Sequence, residues 1–261
     1  MQHHYAGRCA TDPPSPGDEL ILYQLLLGAW SPTLDPLDND EMQAFVQRLA
    51  QWQQKALREA KLSSHWLWPD DTYESASRAF LEDLMTTPPL RDAIAAAARK
   101  LDLPGAINGL VQTVLRLTVP GVPDLYQGAE FWDYSLVDPD NRRPVDHAER
   151  KAALDEALTP TDALLTWRDG RIKQAIIGKL LALRHRYPYA VYPRRLLSLS
   201  VSGVHADHIV AFTRRYAGYQ LLVVAPRLAT ELLGEAEQPH IPRNAGKIRT
   251  CSPKPVYGKA Y

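Results

Sequence analysis

The sequence has few cysteines, no long apolar run and no net charge. Its 261 residues contain two cysteines, Cys9 and Cys251, without the CxxC or Cys/His spacing typical of a zinc site. The longest apolar stretch, Leu20 to Trp30, is far shorter than the roughly 20 residues that span a bilayer. Thirty basic residues balance 30 acidic ones, which argues against nucleic acid or an anionic membrane surface as a partner. No glycine-rich phosphate-binding motif occurs, so no nucleotide cofactor is expected, and the cysteine spacing gives no reason to expect a metal.

What the chain does contain is typical of a folded protein. Its residues are 45% hydrophobic and 23% charged, and its length suits one large domain or two small ones. The first ten residues lack the basic and apolar segments of a secretory signal, so a cytoplasmic location is the default expectation. The 21 prolines predict many fixed turns.

Apolar periodicity predicts mainly helices up to residue 187. Asp18 is a candidate N-cap for a first helix, whose apolar residues on nearly every face favour burial. Pro88-Pro89 and Pro104-Gly105 are expected to end helices. The predicted helices are Glu19–Trp30, Asp40–Leu62, one beginning at Asp70/Asp71, Leu90–Leu101, Ala106–Thr118, His147–Ala157 and Arg171–Arg186.

The pattern changes twice along the chain. The segment 119–126 is apolar but rich in Pro and Gly, and it could be a strand only where backbone donors are dispensable, as at a strand start or in a barrel. Alternation after Pro188 predicts strands at Leu196–Val201, His208–Arg214 and Gln220–Ala225 in a small antiparallel unit. We therefore expect a leader over 1–18, a main body over 19–187, a β-domain over 188–236 and a loose tail over 237–261.

The segment 121–144 contains the highest concentration of candidate functional side chains in the sequence. Carboxylates and amides that can hydrogen-bond hydroxyl groups alternate there with aromatic rings that can stack on sugar faces, a mixture that suits a polyhydroxylated ligand. A second interpretation is an ion-pair cluster of Asp138, Asp140, Arg142 and Arg143 that makes a long loop rigid. Spacing alone leaves both interpretations open.

Several motifs in this chain resemble one glycoside hydrolase family. Pro120–Glu130 is similar to the eighth-strand segment of the α-amylase superfamily, and Asp138–Val145 to the loop after it. The fuller set resembles the maltooligosyltrehalose synthase family, a branch of glycoside hydrolase family 13. This set also includes Leu22–Trp30, Arg58-Glu-Ala-Lys61 followed by Trp66 and Tyr73-Glu74, Trp167–Gln174 and Leu181–Pro188.

The resemblance implies a fold, a reaction and a substrate. It runs from about residue 19 to residue 233 and matches the family's C-terminal portion. The implied fold class is α/β plus β: the C-terminal part of a (β/α)8 barrel with a helical insertion, followed by the small antiparallel β-domain. The family isomerises the reducing-end α-1,4 linkage of a maltooligosaccharide to α,α-1,1, using three carboxylates on barrel strands four, five and seven.

The resemblance assigns no catalytic residue in this chain. The His-Asp motif of strand seven is expected just before Leu22 and is absent, and nothing matches strands four and five. The chain alone is therefore expected to be inactive and to need the family's N-terminal barrel portion as a partner. The alternative is a non-catalytic remnant that binds α-glucan.

The resemblance and the residue chemistry together nominate a set of substrate contacts. Trp66, flanked by His65 and Trp68, is either a sugar platform or an anchor for a helical insertion. Arg58 and Lys61 are either substrate donors or part of a solvated helix face. The Trp167–Gly170 segment is expected to be a structural turn. The candidate contacts for a maltooligosaccharide are Tyr126, Glu130, Trp132, Asp133, Asn141, Arg142, Arg58, Lys61 and Trp66.

Overall fold

The computed structural model describes residues 13–188, 196–216, 219–234, 236–239 and 249–250. These residues contain seven α-helices and five strands, with short 3₁₀ turns and irregular segments between them. Both cysteines, residues 1–12 of the predicted leader and most of the predicted tail lie outside these residues. The helices are α1 (Pro16–Ala29), α2 (Asn39–Ala60), α3 (Asp71–Thr86), α4 (Pro88–Thr118), α5 (His147–Asp155), α6 (Arg171–Arg186) and α7 (Thr230–Leu233).

The chain divides into two compact units. Unit 1 contains residues 1–102 and 134–144, and unit 2 contains residues 103–133 and 145–261. The predicted loop 127–144 is therefore shared between the units, and so are the candidate site residues. Each unit is described separately below.

Polar side chains at the helix starts explain where most helices begin. Asp38, Asp70 and Asp146 each accept a backbone N–H of the first turn, in α2, α3 and α5 respectively. The predicted cap of α1 is wrong: Ser15 caps this helix and accepts the N–H of Asp18. The sequence prediction missed this start because Pro14 and Pro16 are typical of a loop. Proline is nevertheless favourable in the first turn of a helix, where Pro16 lies.

α4 corrects the prediction of two separate helices. It runs unbroken for 31 residues through Pro104 and Gly105. An internal proline removes one helical hydrogen bond and costs about 3 kcal/mol or more. The residues on both sides of the proline bury apolar side chains, such as Ala98 and Ile107, and this burial offsets the loss.

The segment 119–126 is not a strand, which corrects another prediction. It leaves α4 as irregular backbone, with Gly121 at a positive φ of 124°. Pro120 and Pro123 carry no N–H, and no strand pairs with this segment among the described residues. The described residues of 19–187 are thus helical or irregular, and the expected barrel strand is not formed.

Unit 1 has its core where α1, α2, α3 and the first half of α4 meet. Leu26, Leu49, Leu81 and Ile94 represent the four helices there, and each is almost fully buried. Leu136 of the segment 134–144 joins the same core. The prediction that α1 is buried all round is wrong, because Leu20 and Ile21 are about half exposed.

Unit 2 packs the second half of α4 on both sides. One side contacts the segment before α6, with Trp167 fully buried, and the other contacts α7 through Ile107 and Leu233. At the carboxyl end of α4, Arg184 Nη1 donates to the Leu117 carbonyl at 2.8 Å and Arg214 Nη1 to the Thr118 carbonyl at 3.0 Å. Guanidinium groups suit this position because they satisfy carbonyls that lack helical partners.

The strands of unit 2 confirm the predicted antiparallel pattern. β1 (Leu196–Ser198), β3 (Ile209–Tyr216) and β4 (Tyr219–Pro226) form a sheet in the order β1-β3-β4, while β2 (Val201–Ser202) pairs with β5 (Arg249–Thr250). Phe212 faces Val223 in the central register, and both are buried. The predicted turn at Gly218 lies outside the described residues.

A search of the described residues finds no helix that is long and apolar enough to cross a membrane. The same part of the chain contains no group of three or more His, Cys, Asp or Glu side chains placed to hold a metal ion.

Candidate functional site

Helix α2 carries a row of basic residues that organises the candidate surface of unit 1. Arg48, Lys55 and Arg58 are separated by seven and three residues, spacings that return to the same helix face. Together they contact two segments: Arg48 and Lys55 reach the segment 134–144, and Arg58 reaches α3. The row thereby fixes two surface segments that are distant in sequence.

Arg48 holds the segment 134–144 against α2 through Asp140. Its Nε and Nη2 donate to the two Asp140 carboxylate oxygens at 3.0 and 2.9 Å, and Nη2 also donates to the Tyr134 carbonyl at 3.0 Å. The backbone N–H of Leu136 donates to Asp140 at 2.7 Å. Burial alone would raise the pKa of Asp140, but these donors outweigh it and hold that pKa below its usual value.

The candidate residues Asn141 and Arg142 lie in a short 3₁₀ turn, Asp140–Arg142, directly after this anchor. The Arg142 side chain is largely exposed and pairs with Asp138 four residues earlier. Arg143 pairs with Asp140 at 3.1 Å, and Lys55 donates to the Asp138 carbonyl. The ion-pair cluster considered from the sequence is therefore present.

Arg58 is engaged by a buried carboxylate. Its Nε and Nη2 each donate to Glu74 of α3 at 2.7 Å, and Ser64 and Gln54 donate to the same carboxylate. The Arg58 hydrogen bonds are the main reason that the pKa of Glu74 is lowered to about 2, against the opposing effect of burial. Arg58 thus acts first as the partner of Glu74.

The turn after α2 exposes the candidate aromatic ring. Lys61 ends α2 in the left-handed conformation, with φ of 57°, and its side chain is exposed. Trp66 follows with its ring beside Arg58, whose Cζ lies 5.2 Å from the ring centroid. The Arg58 guanidinium therefore supports this ring as well as the carboxylate of Glu74.

Five of the nine candidates lie in unit 1: Arg58, Lys61 and Trp66 are at the carboxyl end of α2 and in the turn after it, whereas Asn141 and Arg142 are in the segment that Arg48 and Lys55 attach to α2. Sequence reasoning missed Arg48 and Lys55 as the residues that hold the loop. Their separation of seven residues on a polar helix was the available signal, but nothing in the sequence indicated a partner about 90 positions away.

Trp132, a candidate in unit 2, packs as part of the core. Its Nε1 donates to the Trp167 carbonyl at 2.6 Å, and its ring lies against Gly109 of α4. Gly170, at a φ of 84°, allows the approach, because a Cβ there would lie 2.6 Å from the Trp132 nitrogen. The segment Trp167–Gly170 is confirmed as a structural turn.

Charged groups surround this tryptophan. Glu130 pairs with Arg150 at 3.3 Å, and Lys173 Nζ donates to the Phe131 carbonyl at 3.1 Å. Burial and the nearby Arg116 lower the pKa of Lys173, while Asp133 and Glu130 oppose the shift. Glu130 therefore has an ion-pair role in the fold.

The two other unit 2 candidates are on the surface. Tyr126 is about half exposed in the irregular segment after α4. Asp133, the residue directly after Trp132, is exposed. These two residues can reach a ligand from solvent. The exposed candidates are Lys61, Trp66 and Arg142 in unit 1 and Tyr126 and Asp133 in unit 2, and their aromatic rings, cations and carboxylate are groups that can bind sugar faces and sugar hydroxyls.

Two solved structures that match most of this chain are much longer than it. A crystal structure of a maltooligosyl trehalose synthase matches 82% of this chain and 28% of its own, with a TM-score of 0.72 and 29% identity. The maltooligosyltrehalose synthase of Arthrobacter ramosus matches 84% of this chain and 26% of its own, with a TM-score of 0.68 and 30% identity. These matches show that the chain shares its fold with about a quarter of each of these synthases.

Curated relatives give the same assignment at the level of sequence. Two proteins from strains of Mycobacterium tuberculosis, whose names assign them to the maltooligosyl trehalose synthases, are 34% identical to this chain over 212 residues. The match covers 81% of this chain and 25% of either relative. No protein-family model matches the chain. Over the matched part, the chain is homologous to these maltooligosyl trehalose synthases, as its motifs predicted, and it spans about a quarter of their length.

Proposed function

We propose that this chain supplies α-1,4-glucan contacts to a maltooligosyl trehalose synthase site. At that site, the reducing-end α-1,4 linkage of a maltooligosaccharide is isomerised to α,α-1,1. The observation that carries the proposal is that α2 holds two segments with candidate contacts, the turn with Trp66 and the segment 134–144, in a chain 34% identical to such synthases. The sequence did not predict this shared attachment, because the two segments lie about 75 positions apart.

The residues have distinct roles in this proposal. Trp66 stacks on a glucosyl face, Asn141 and Arg142 hydrogen-bond sugar hydroxyls, and Lys61 donates from the edge of the same surface. Arg58 holds the Trp66 ring and does not itself bind sugar, because Glu74 engages two of its nitrogens. In unit 2, the exposed Tyr126 and Asp133 are the proposed contacts.

The reactive carboxylates, in this proposal, come from sequence outside the matched quarter. The retaining reaction of the family needs two carboxyl groups roughly 5–5.5 Å apart across the scissile bond. Glu130 is not assigned either role, because it pairs with Arg150 at 3.3 Å and the family resemblance places the reactive carboxylates on other strands. The chain then binds the glucan, and a polypeptide equivalent to the other three quarters of a relative completes the chemistry.

The decisive experiment separates binding from conversion. Maltopentaose is titrated calorimetrically into the chain alone, and conversion is followed as loss of reducing ends, with and without a co-expressed polypeptide covering the rest of the Mycobacterium relative. We expect binding without conversion by the chain alone, and conversion with the second polypeptide. Arg142→Ala should weaken binding about tenfold, since a hydrogen bond from a charged group is lost.

Controls decide between this function and the remnant. Lys151→Ala removes an exposed cation of α5 and should leave binding unchanged. Conversion by the chain alone, or unaltered binding in Arg142→Ala, would contradict the proposal. Binding that never leads to conversion with the second polypeptide would favour a non-catalytic α-glucan-binding protein, an alternative that the exposed aromatic turn also supports.

A further inference from the structure

The turn between α2 and α3 exposes three large apolar side chains in consecutive positions, Trp66, Leu67 and Trp68. In the eight residues from Leu62 to Pro69, the exposed fraction is 53% for Trp66, 73% for Leu67 and 75% for Trp68. All six tryptophans of the chain lie in described residues, and these two are the most exposed. Exposed rings in neighbouring positions indicate a binding surface more often than single exposed residues do.

Each of the two rings is supported on one side by a charged or aromatic group. Arg58 lies 5.2 Å from the Trp66 ring centroid, and the His65 ring lies 5.3 Å from the Trp68 ring centroid at an interplanar angle of 46°. The His65 ring is fixed in turn, because the Leu67 N–H donates to its Nδ1 at 3.1 Å. Both tryptophans are therefore oriented before a ligand arrives.

Hydrogen bonds also fix the turn at both ends. Ser64 donates its hydroxyl hydrogen to Glu74 and accepts the Asp70 N–H at 3.1 Å. The buried Glu74 carboxylate thus connects the turn, α2 and α3. A surface ordered in this way loses little conformational entropy when it binds, which favours affinity for a ligand with few contacts.

We infer that this turn is a two-ring platform for consecutive glucosyl units of an α-1,4-glucan, with Trp68 as a second stacking residue beside Trp66. The inference rests on the proposed function and extends it to a residue not among the predicted contacts. Charged residues flank the turn in sequence: Lys61, Asp70 and Asp71 are all exposed. Sugar hydroxyl groups can hydrogen-bond such side chains while the sugar faces contact the rings, whereas an apolar peptide offers no side-chain partner to these charges.

The test compares flat and non-flat side chains at one position. Maltoheptaose is titrated into the full chain, and affinity is measured by calorimetry and by quenching of the exposed tryptophan fluorescence. Trp68→Leu keeps an apolar side chain but removes the flat face. It should weaken binding about fivefold to tenfold, because roughly 50 Å2 less apolar surface would be covered by the sugar. Trp68→Phe should recover most of this affinity, and Trp66→Leu should weaken binding to a similar extent.

Leu67→Ala is the matched control, because Leu67 is as exposed as Trp68 but has no ring, and its variant should bind like the unaltered chain. Equal affinity in Trp68→Leu and the unaltered chain, or equal loss in Leu67→Ala, would overturn the platform. The proposed function is tested separately by Asn141→Ala and Arg142→Ala. Loss in those variants with Trp68→Leu unaffected rejects the platform alone, and absence of maltoheptaose binding rejects both.

Discussion

Glu74 provides the sharpest test of how unit 1 is held together. Glu74→Gln keeps the shape of the side chain but removes the charge that Arg58, Ser64 and Gln54 face. The pKa of this carboxyl is lowered from 4.5 to about 2. Because a tenfold change in an acid dissociation constant corresponds to about 1.4 kcal/mol, the ionised carboxylate contributes about 3 kcal/mol at pH 7.

The pH dependence follows from the direction in which this pKa moves. Because the pKa is lower in the folded state than in the unfolded state, the contribution is complete above about pH 5 and is lost as the pH falls towards 2. Urea unfolding of the two proteins should therefore differ by about 3 kcal/mol at pH 7 and by about 1.5 kcal/mol at pH 3.

Glu82→Gln is the matched control for this experiment. Glu82 lies on the same helix and pairs with Arg78 at 2.8 Å, but both side chains are about half exposed. Its replacement should change the free energy of unfolding by less than about 0.5 kcal/mol at any pH. A difference between the Glu74→Gln protein and the unaltered chain that is below about 1 kcal/mol, or that does not change with pH, would refute the interpretation.

Two further perturbations test unit 2 and the segment 134–144. Gly170→Ala should destabilise the protein by about 2–4 kcal/mol in thermal or urea unfolding, because its Cβ would lie 2.6 Å from the Trp132 nitrogen. Gly178→Ala, on α6 with no atom within 4 Å of the added carbon, should instead stabilise it by about 1 kcal/mol; the reverse order would contradict the packing described. Burial, with a smaller effect from the charge of Asp102, raises the pKa of Tyr134 to about 12. The free energy of unfolding should therefore fall by about 2 kcal/mol between pH 10 and 12, and Tyr134→Phe should remove this fall.

Local sequence signals were sufficient to predict the bounds of a helix where glycine and proline lie directly beside its ends. The predicted range of α6, from Arg171 to Arg186, agrees with the structure at both ends, because Gly170 precedes it and Pro188 follows it. The strands β3 and β4 were predicted within two residues from alternation alone. Composition and short-range periodicity determine such elements with little help from tertiary contacts.

The same signals failed where distant packing decides the outcome. Pro104 looks like a helix end in any local window, yet burial on both sides of it keeps α4 continuous. The segment 119–126 has the apolar character of a strand but lacks strand neighbours among the described residues, and an unpaired strand is not stable. Similarly, the contact of the Trp132 ring with Gly109 could not be predicted from the sequence, so its partial burial was not anticipated.

The dependence of the segment 134–144 on Arg48 has a consequence for protein engineering. The Arg48 guanidinium of α2, 92 positions before Asp140, holds the segment in place through both oxygens of the Asp140 carboxylate. A chimera that receives this segment from a related protein without the matching part of α2 would lack the cation that pairs with the Asp140 carboxylate. Loop exchange in this fold therefore has to be carried out as paired replacements of two remote sequence blocks.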